Sequence, residues 1–201
     1  MQTTLFLMVG LPASGKTVRA RELAAERRAL RITADDWALS LFGQEDRQQA
    51  RPDGKRWLLE GRLVALAMDA LRLGLSVVLD FGLWSRDERS ALRWMAASVG
   101  ASCEIVYLPV DREVQWSRIQ ERWKHTPEQT FPMAETELGP WREQFEVPDA
   151  DELAGSQLPS PPPGDESWFD WAQRFWPSLA HSLNEGLPKT SINAEPKPPL
   201  P

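Results

Sequence analysis

Two hydrophobic rhythms alternate along the first 150 residues. Thr4 to Gly10 (TLFLMVG) is almost continuously apolar, the pattern of a strand buried on both faces. Lys16 to Glu26 reads as a helix, and Leu30 to Thr33 as a short strand. From Arg56 to Leu73 the apolar residues Leu59, Leu63, Leu66, Ala67, Ala70 and Leu71 recur at helical spacing. Ser76 to Leu79 (SVVL) is a buried strand ending in Asp80, and Asp87 to Val99 is a helix. Cys103 to Leu108 is a further strand, followed by helices over Asp111–Trp123 and Ala134–Phe145. Strands joined by helical crossovers predict an α/β fold, a parallel sheet of four or five strands with helices on both faces. Ligands in such folds sit beyond the carboxyl ends of the strands, so the residues after each strand carry the chemistry.

The pattern changes near residue 150. More than half of the 17 prolines lie in 151–201. Residues 1–150 are therefore read as the folded domain and 151–201 as a Pro-rich appendage. Within it, 155–164 is a stiff linker and 186–201 a disordered tail. Between them, Glu166 to Leu183 places Trp168, Trp171, Ala172, Phe175, Trp176, Leu179 and Leu183 on one amphipathic helical stripe, which Pro177 should kink. The stripe is expected to pack on the body. The alternative is a protein-partner surface or a cover over the substrate site. Trp57, Trp94, Trp116, Trp123 and Trp141 read as helix-face packing, and Cys103 as core.

Composition narrows the classes. The net charge of −6 argues against nonspecific binding to duplex nucleic acid, while leaving room for a local basic pocket. One cysteine and two histidines exclude an intramolecular disulfide and a Cys/His zinc cluster. The apolar run Leu5–Val9 is too short for a membrane span and has no basic segment before it, which points to the cytoplasm and no membrane partner.

Gly10-Leu11-Pro12-Ala13-Ser14-Gly15-Lys16-Thr17 fits G-x-x-x-x-G-K-S/T between a predicted strand and a predicted helix. Gly10 and Gly15 permit turns that a Cβ would forbid. The amides of the loop and the positive helix end then face a polyphosphate. Gly10, Ala13, Ser14, Gly15, Lys16, Thr17 and Val18 are the expected nucleotide-binding residues. Lys16 places a cation on the β- and γ-phosphates, and the Thr17 hydroxyl ligates Mg²⁺.

Three other strand ends bear on the reaction. After the second come Asp35 and Asp36. One of these could accept the proton of an attacking hydroxyl, and either could instead cap a helix starting near Trp37. Asp80 could hold the Mg²⁺ shell or orient a substrate, unless it only serves a turn. Just beyond, Phe81 and Trp84 offer apolar walls, and Arg86 or Arg89 could hold an anionic substrate group or simply face solvent. Arg118 and Arg122 share a helix face and could stabilise charge on the transferred phosphate. A structural alternative pairs Arg118 with Glu121. Lys124 to Met133, with Pro127 and Pro132, reads as a mobile lid or its hinge.

With these motifs, over about residues 3–150, the chain resembles the P-loop kinase group that includes polynucleotide 5′-kinases, chloramphenicol phosphotransferase and zeta-type toxins. The resemblance rests on GLPASGKT, TADDW, VVLDFGLWSRDER and YLPVDREVQWSRIQERW. It implies the P-loop NTPase fold, with ATP and Mg²⁺ on Lys16 and Thr17, Asp35 as general base, and Arg118 or Arg122 as the lid arginine. Polynucleotide kinases carry an acceptor-holding Arg three residues after the base, where this chain has Ala38. That departure and the acidic charge favour a hydroxyl-bearing small molecule as acceptor over a polynucleotide 5′-hydroxyl. Asp36, Asp80 and Arg86 are the candidate substrate residues, and Thr17 and Asp80 the candidate metal ligands. The rival expectation is a nucleotide-dependent switch with slow ATP hydrolysis, whose aromatic tail binds a protein. No N-K-x-D guanine motif is present, which disfavours a GTP switch.

Overall fold

The computed structural model describes residues 2–43, 54–127 and 130–179. Four strands, β1 (Thr4–Val9), β2 (Leu30–Thr33), β3 (Val77–Gly82) and β4 (Ser102–Tyr107), form one sheet among these residues. The order is β2-β3-β1-β4 and every pairing is parallel. Crossovers run through α1 (Lys16–Arg27), α2 (Ala34–Phe42), α3 (Lys55–Arg72) and α4 (Arg86–Ser98). The chain continues into α5 (Arg112–His125), a 3₁₀ turn (Glu135–Glu137), α6 (Leu138–Gln144), α7 (Ala150–Leu153), α8 (Trp168–Phe175) and a 3₁₀ turn (Pro177–Leu179).

Alternate residues of the central strand β1 feed two cores. Phe6 and Met8 pack with Ala20 and Leu23 of α1, whereas Leu5, Leu7 and Val9 pack with the apolar faces of α3 and α4. This is the strand period of two with helices on both faces. α4 begins with a reciprocal capping box: Glu88 N donates to Ser85 Oγ (3.1 Å) and Ser85 N donates to the Glu88 carboxylate (2.8 Å).

Three local expectations are corrected. α2 starts at Ala34, so Asp35 and Asp36 lie in its first turn and cap nothing; Thr33 is the N-cap. β3 runs on through Asp80 to Gly82, so Asp80 is a strand residue and not a turn residue. The single helix expected over Ala134–Phe145 is a 3₁₀ turn followed by α6.

The aromatic stripe packs on the body. Trp168, Trp171, Trp176 and Leu179 belong to the same buried cluster as Leu63 of α3 and Leu92 of α4. Pro177 acts as expected: α8 stops at Phe175 and a separate turn follows. The change of composition near 150 therefore does not mark a break in packing. The end of the stripe and the tail expected to be disordered over 186–201 fall outside the described residues. Among the described residues no helix is long and apolar enough to cross a membrane.

Candidate active site

The loop between β1 and α1 is clamped from several sides. Gly10 N donates to Gly82 O (3.3 Å), tying it to the end of β3. A Cβ on Gly10 would stand 2.7 Å from Leu108 O and 2.7 Å from Ser14 Oγ, so only glycine fits. Gly15 is the N-cap of α1 at φ 101°, and Ala13 also takes the left-handed region at φ 61°. α5 holds the outside of the loop: Gln115 Nε2 donates to Pro12 O (3.0 Å) and Arg118 Nη1 to Ala13 O (3.2 Å). Arg118 is therefore a brace of the loop, and Glu121 meets Lys124 and His125 instead. The loop's carbonyls are thus engaged, while the first amides of α1 have no intrahelical acceptor. The buried Ser14 Oγ also has no partner.

Lys16 folds back on the loop, donating to Gly10 O (2.9 Å) and Leu11 O (2.8 Å). Burial lowers its pKa to about 8, against the pull of Asp80 and Asp35, and Arg122 lowers it further. Asp80 is buried beside it. Burial raises its carboxyl above the usual range, while Arg31, Lys16 and the Thr17 hydroxyl oppose that shift. Thr17 and Asp80 thus present adjacent oxygen donors. Among the described residues no cluster of three or more His, Cys, Asp or Glu could hold a metal. A two-oxygen site suits Mg²⁺, which keeps waters and phosphate oxygens as its other ligands.

These groups line a cleft of about 710 Å³, together with Asp35, Arg56, Glu60, Glu88 and Arg122. Asp35 is 61 % exposed and accepts from Arg56 Nη1 (2.7 Å), whose Nε reaches Glu60 (3.0 Å). Burial works against the Arg56 charge, but Glu60 and Asp35 outweigh it and raise its pKa. A second recess of about 570 Å³ beside the loop is lined by Ala13, Gly15, Val18, Arg118, Arg122 and His125. Arg122 faces both spaces.

Two predicted substrate residues are not brought to the cleft. Asp36 points to Arg31 (3.4 Å), and Arg86 pairs with Asp149 (3.1 Å). Conversely, the cleft residues Arg56, Glu60 and Glu88 carry no motif in the sequence, and Trp57 and Trp141, expected only to pack helix faces, line the cleft beside them with Trp84 and Phe175. Arg56 and Glu60 do carry a signal, an i,i+4 pair of opposite charge. Lys16 and Thr17 open α1, and Val18 lines the recess beside the loop.

Solved structures with the same fold include a suspected kinase from Chloroflexus aurantiacus, at TM-score 0.61 and 17% identity over 86% of this chain and 96% of that one. Kti12 from Chaetomium thermophilum, in complex with ADP-AlF3, matches at 0.55 and 16% over 89% and 98%. A gluconokinase from Sinorhizobium meliloti matches at 0.53 and 18% over 90% and 92%. At such identities the likeness is one of fold. No curated protein matches the chain. Residues 5–148, from β1 past α6, match the family described as AAA domain. The motif on β1–α1, the parallel sheet and this match agree, and the chain belongs to that family, as a P-loop protein of kinase-like fold.

Proposed function

We propose that the protein is an ATP-dependent phosphotransferase that moves the γ-phosphate of ATP onto a hydroxyl of a small-molecule acceptor. The observation that carries this reading is the shared cleft: Lys16, Thr17 and Asp80 at the loop face the same space as the Asp35 carboxylate. The amides of the loop and Lys16 bind the phosphates, Lys16 exchanging its two loop carbonyls for phosphate oxygens. Thr17 and Asp80 hold Mg²⁺, which supplies charge neutralisation on the phosphates. Arg122 stabilises charge on the transferred group, and Arg118 keeps the loop in shape. Asp35, oriented by Arg56, accepts the proton of the acceptor hydroxyl. The recess beside Val18 takes the rest of the nucleotide. The switch reading needs the aromatic stripe free for a partner, and Trp168, Trp171 and Trp176 are buried in the core.

Asp35→Asn tests the chemistry. Acceptor-dependent turnover should fall about 10²–10⁴-fold while calorimetry still detects ATP binding. Normal phosphate transfer by that variant would remove Asp35 from the mechanism. Lys16→Ala should lose nucleotide binding itself, and retained affinity would sink the whole reading.

A further inference from the structure

The lining of the cleft falls into two sets. One is charged. The other is aromatic and includes Phe81 from β3, Trp84 from the β3–α4 connection, Trp141 from α6 and Phe175 from α8. Trp84 and Phe175 are each held by neighbouring rings. Trp84 meets Trp141 edge-on at 6.3 Å and Phe145 edge-on at 6.5 Å. Phe175 stacks on buried Trp171 at 4.3 Å and meets Trp176 edge-on at 4.9 Å. Rings held in this way cost little entropy on binding and favour a flat apolar ligand that can stack or meet them edge-on.

Charge narrows the class further. Asp35, Glu60 and Glu88 line the same cleft, and Arg56 is already shared between Asp35 and Glu60. Lys16 and Arg122 stand together at the loop, where phosphate is expected. An acceptor bearing a carboxylate, sulfate or phosphate would bring like charge beside these acids, whereas a neutral one meets no such penalty.

We infer that the acceptor is an uncharged, ring-bearing alcohol, seated with its ring among Trp84, Trp141 and Phe175 and its hydroxyl toward Asp35. This rests on the phosphotransferase reading only for the direction of the hydroxyl. Phe175 lies outside the family match at 5–148, so a segment beyond the matched domain shapes acceptor choice.

The test uses the full chain and four probes: phenethyl alcohol, tryptophol, phenyllactate and gluconate. Calorimetry without nucleotide should show the two neutral aromatic alcohols binding, and the two carboxylates at least about tenfold more weakly. Phe175→Ala should weaken tryptophol about tenfold. Phe175→Leu, which keeps an apolar cover over Trp171, serves if the alanine variant melts early, and should give a smaller loss. Phosphorus NMR with Mg²⁺–ATP then reads transfer. Phenyllactate or gluconate binding as tightly as tryptophol, or no aromatic alcohol binding at all, overturns the inference. Aromatic binding without transfer supports the ring chamber and counts against the phosphotransferase reading. Transfer to gluconate without aromatic binding does the reverse.

Discussion

Lys16 carries a charge that the loop itself only partly supports. Its ammonium rests on two carbonyls, and burial brings its pKa down to about 8. A bound polyphosphate would raise that value, because an anion favours the charged form. The sign follows from linkage. Below pH 8 the lysine is already protonated and binding takes up no proton. Above pH 8 binding must take one up, and affinity should fall by about tenfold per pH unit until the pKa of the bound state is reached. Calorimetry of ATP binding in EDTA, in buffers of different ionisation enthalpy, reads both the affinity and the proton uptake. A flat affinity from pH 7 to 9.5 would mean that Lys16 does not meet the phosphates. At this scale the sequence is legible where chemistry demands a fixed spacing, as with Gly10, Gly15, Lys16 and Thr17. It is illegible where a pairing depends on register. Arg31 reaches Asp80 because β2 and β3 align Thr33 with Asp80, which leaves Arg31 one diagonal step away on the same face. The backbone alignment that makes that pair is set by the whole sheet.

Elements were more readable than pairings. β2 spans Leu30–Thr33 as the apolar pattern predicts, and α3 and α5 end within two residues of their expected limits. What the pattern does not tell is which face of a helix meets which neighbour. Gly61 shows this. A glycine inside a helix costs about 1 kcal/mol relative to alanine. In α3, however, a Cβ at position 61 would meet Trp176 Cβ at 3.0 Å and Leu179 N at 3.2 Å, with Ser178 Oγ closer still. Ser178 Oγ also donates to Leu58 O (2.6 Å), so the C-terminal turn lies directly on the helix. Gly61→Ala should lose more from displacing this turn than it gains in propensity, a net destabilisation of about 1–3 kcal/mol. Gly139, in α6, has nothing within 4 Å of its Cβ position. Gly139→Ala should therefore displace no packing and, with Pro140 next to it limiting the gain in helix propensity, should change stability by less than about 1 kcal/mol. Urea unfolding of both variants checks the contrast, and a Gly61→Ala protein more stable than wild type would show that the turn does not dock there.

At the scale of the molecule, one ion pair joins the C-terminal segment to the cleft. Arg89 and Glu152 have side chains 0% and 2% exposed, and they bond at 2.7 and 3.0 Å. Arg89 also donates to the carbonyls of Leu83 (3.2 Å) and Trp84 (3.3 Å). Leu83 sits in the left-handed region at φ 47°, which a leucine adopts only when its surroundings impose it. The pair therefore holds the strained connection on which Trp84 stands, and it draws on α7 to do so. Removing one partner leaves a buried charge without compensation, so Glu152→Ala should cost about 3–5 kcal/mol. Replacing both, with Arg89→Met and Glu152→Leu, removes the charge problem but leaves two carbonyls without their donor. The double variant should recover most of the loss and still fall about 1–3 kcal/mol short of wild type. Chemical denaturation of the single and double variants closes the cycle. If Glu152→Ala costs less than about 1 kcal/mol, the pair is solvated and α7 is not what braces the cleft wall. If the double variant matches wild type, the Leu83 turn holds itself and Arg89 matters only through its charge.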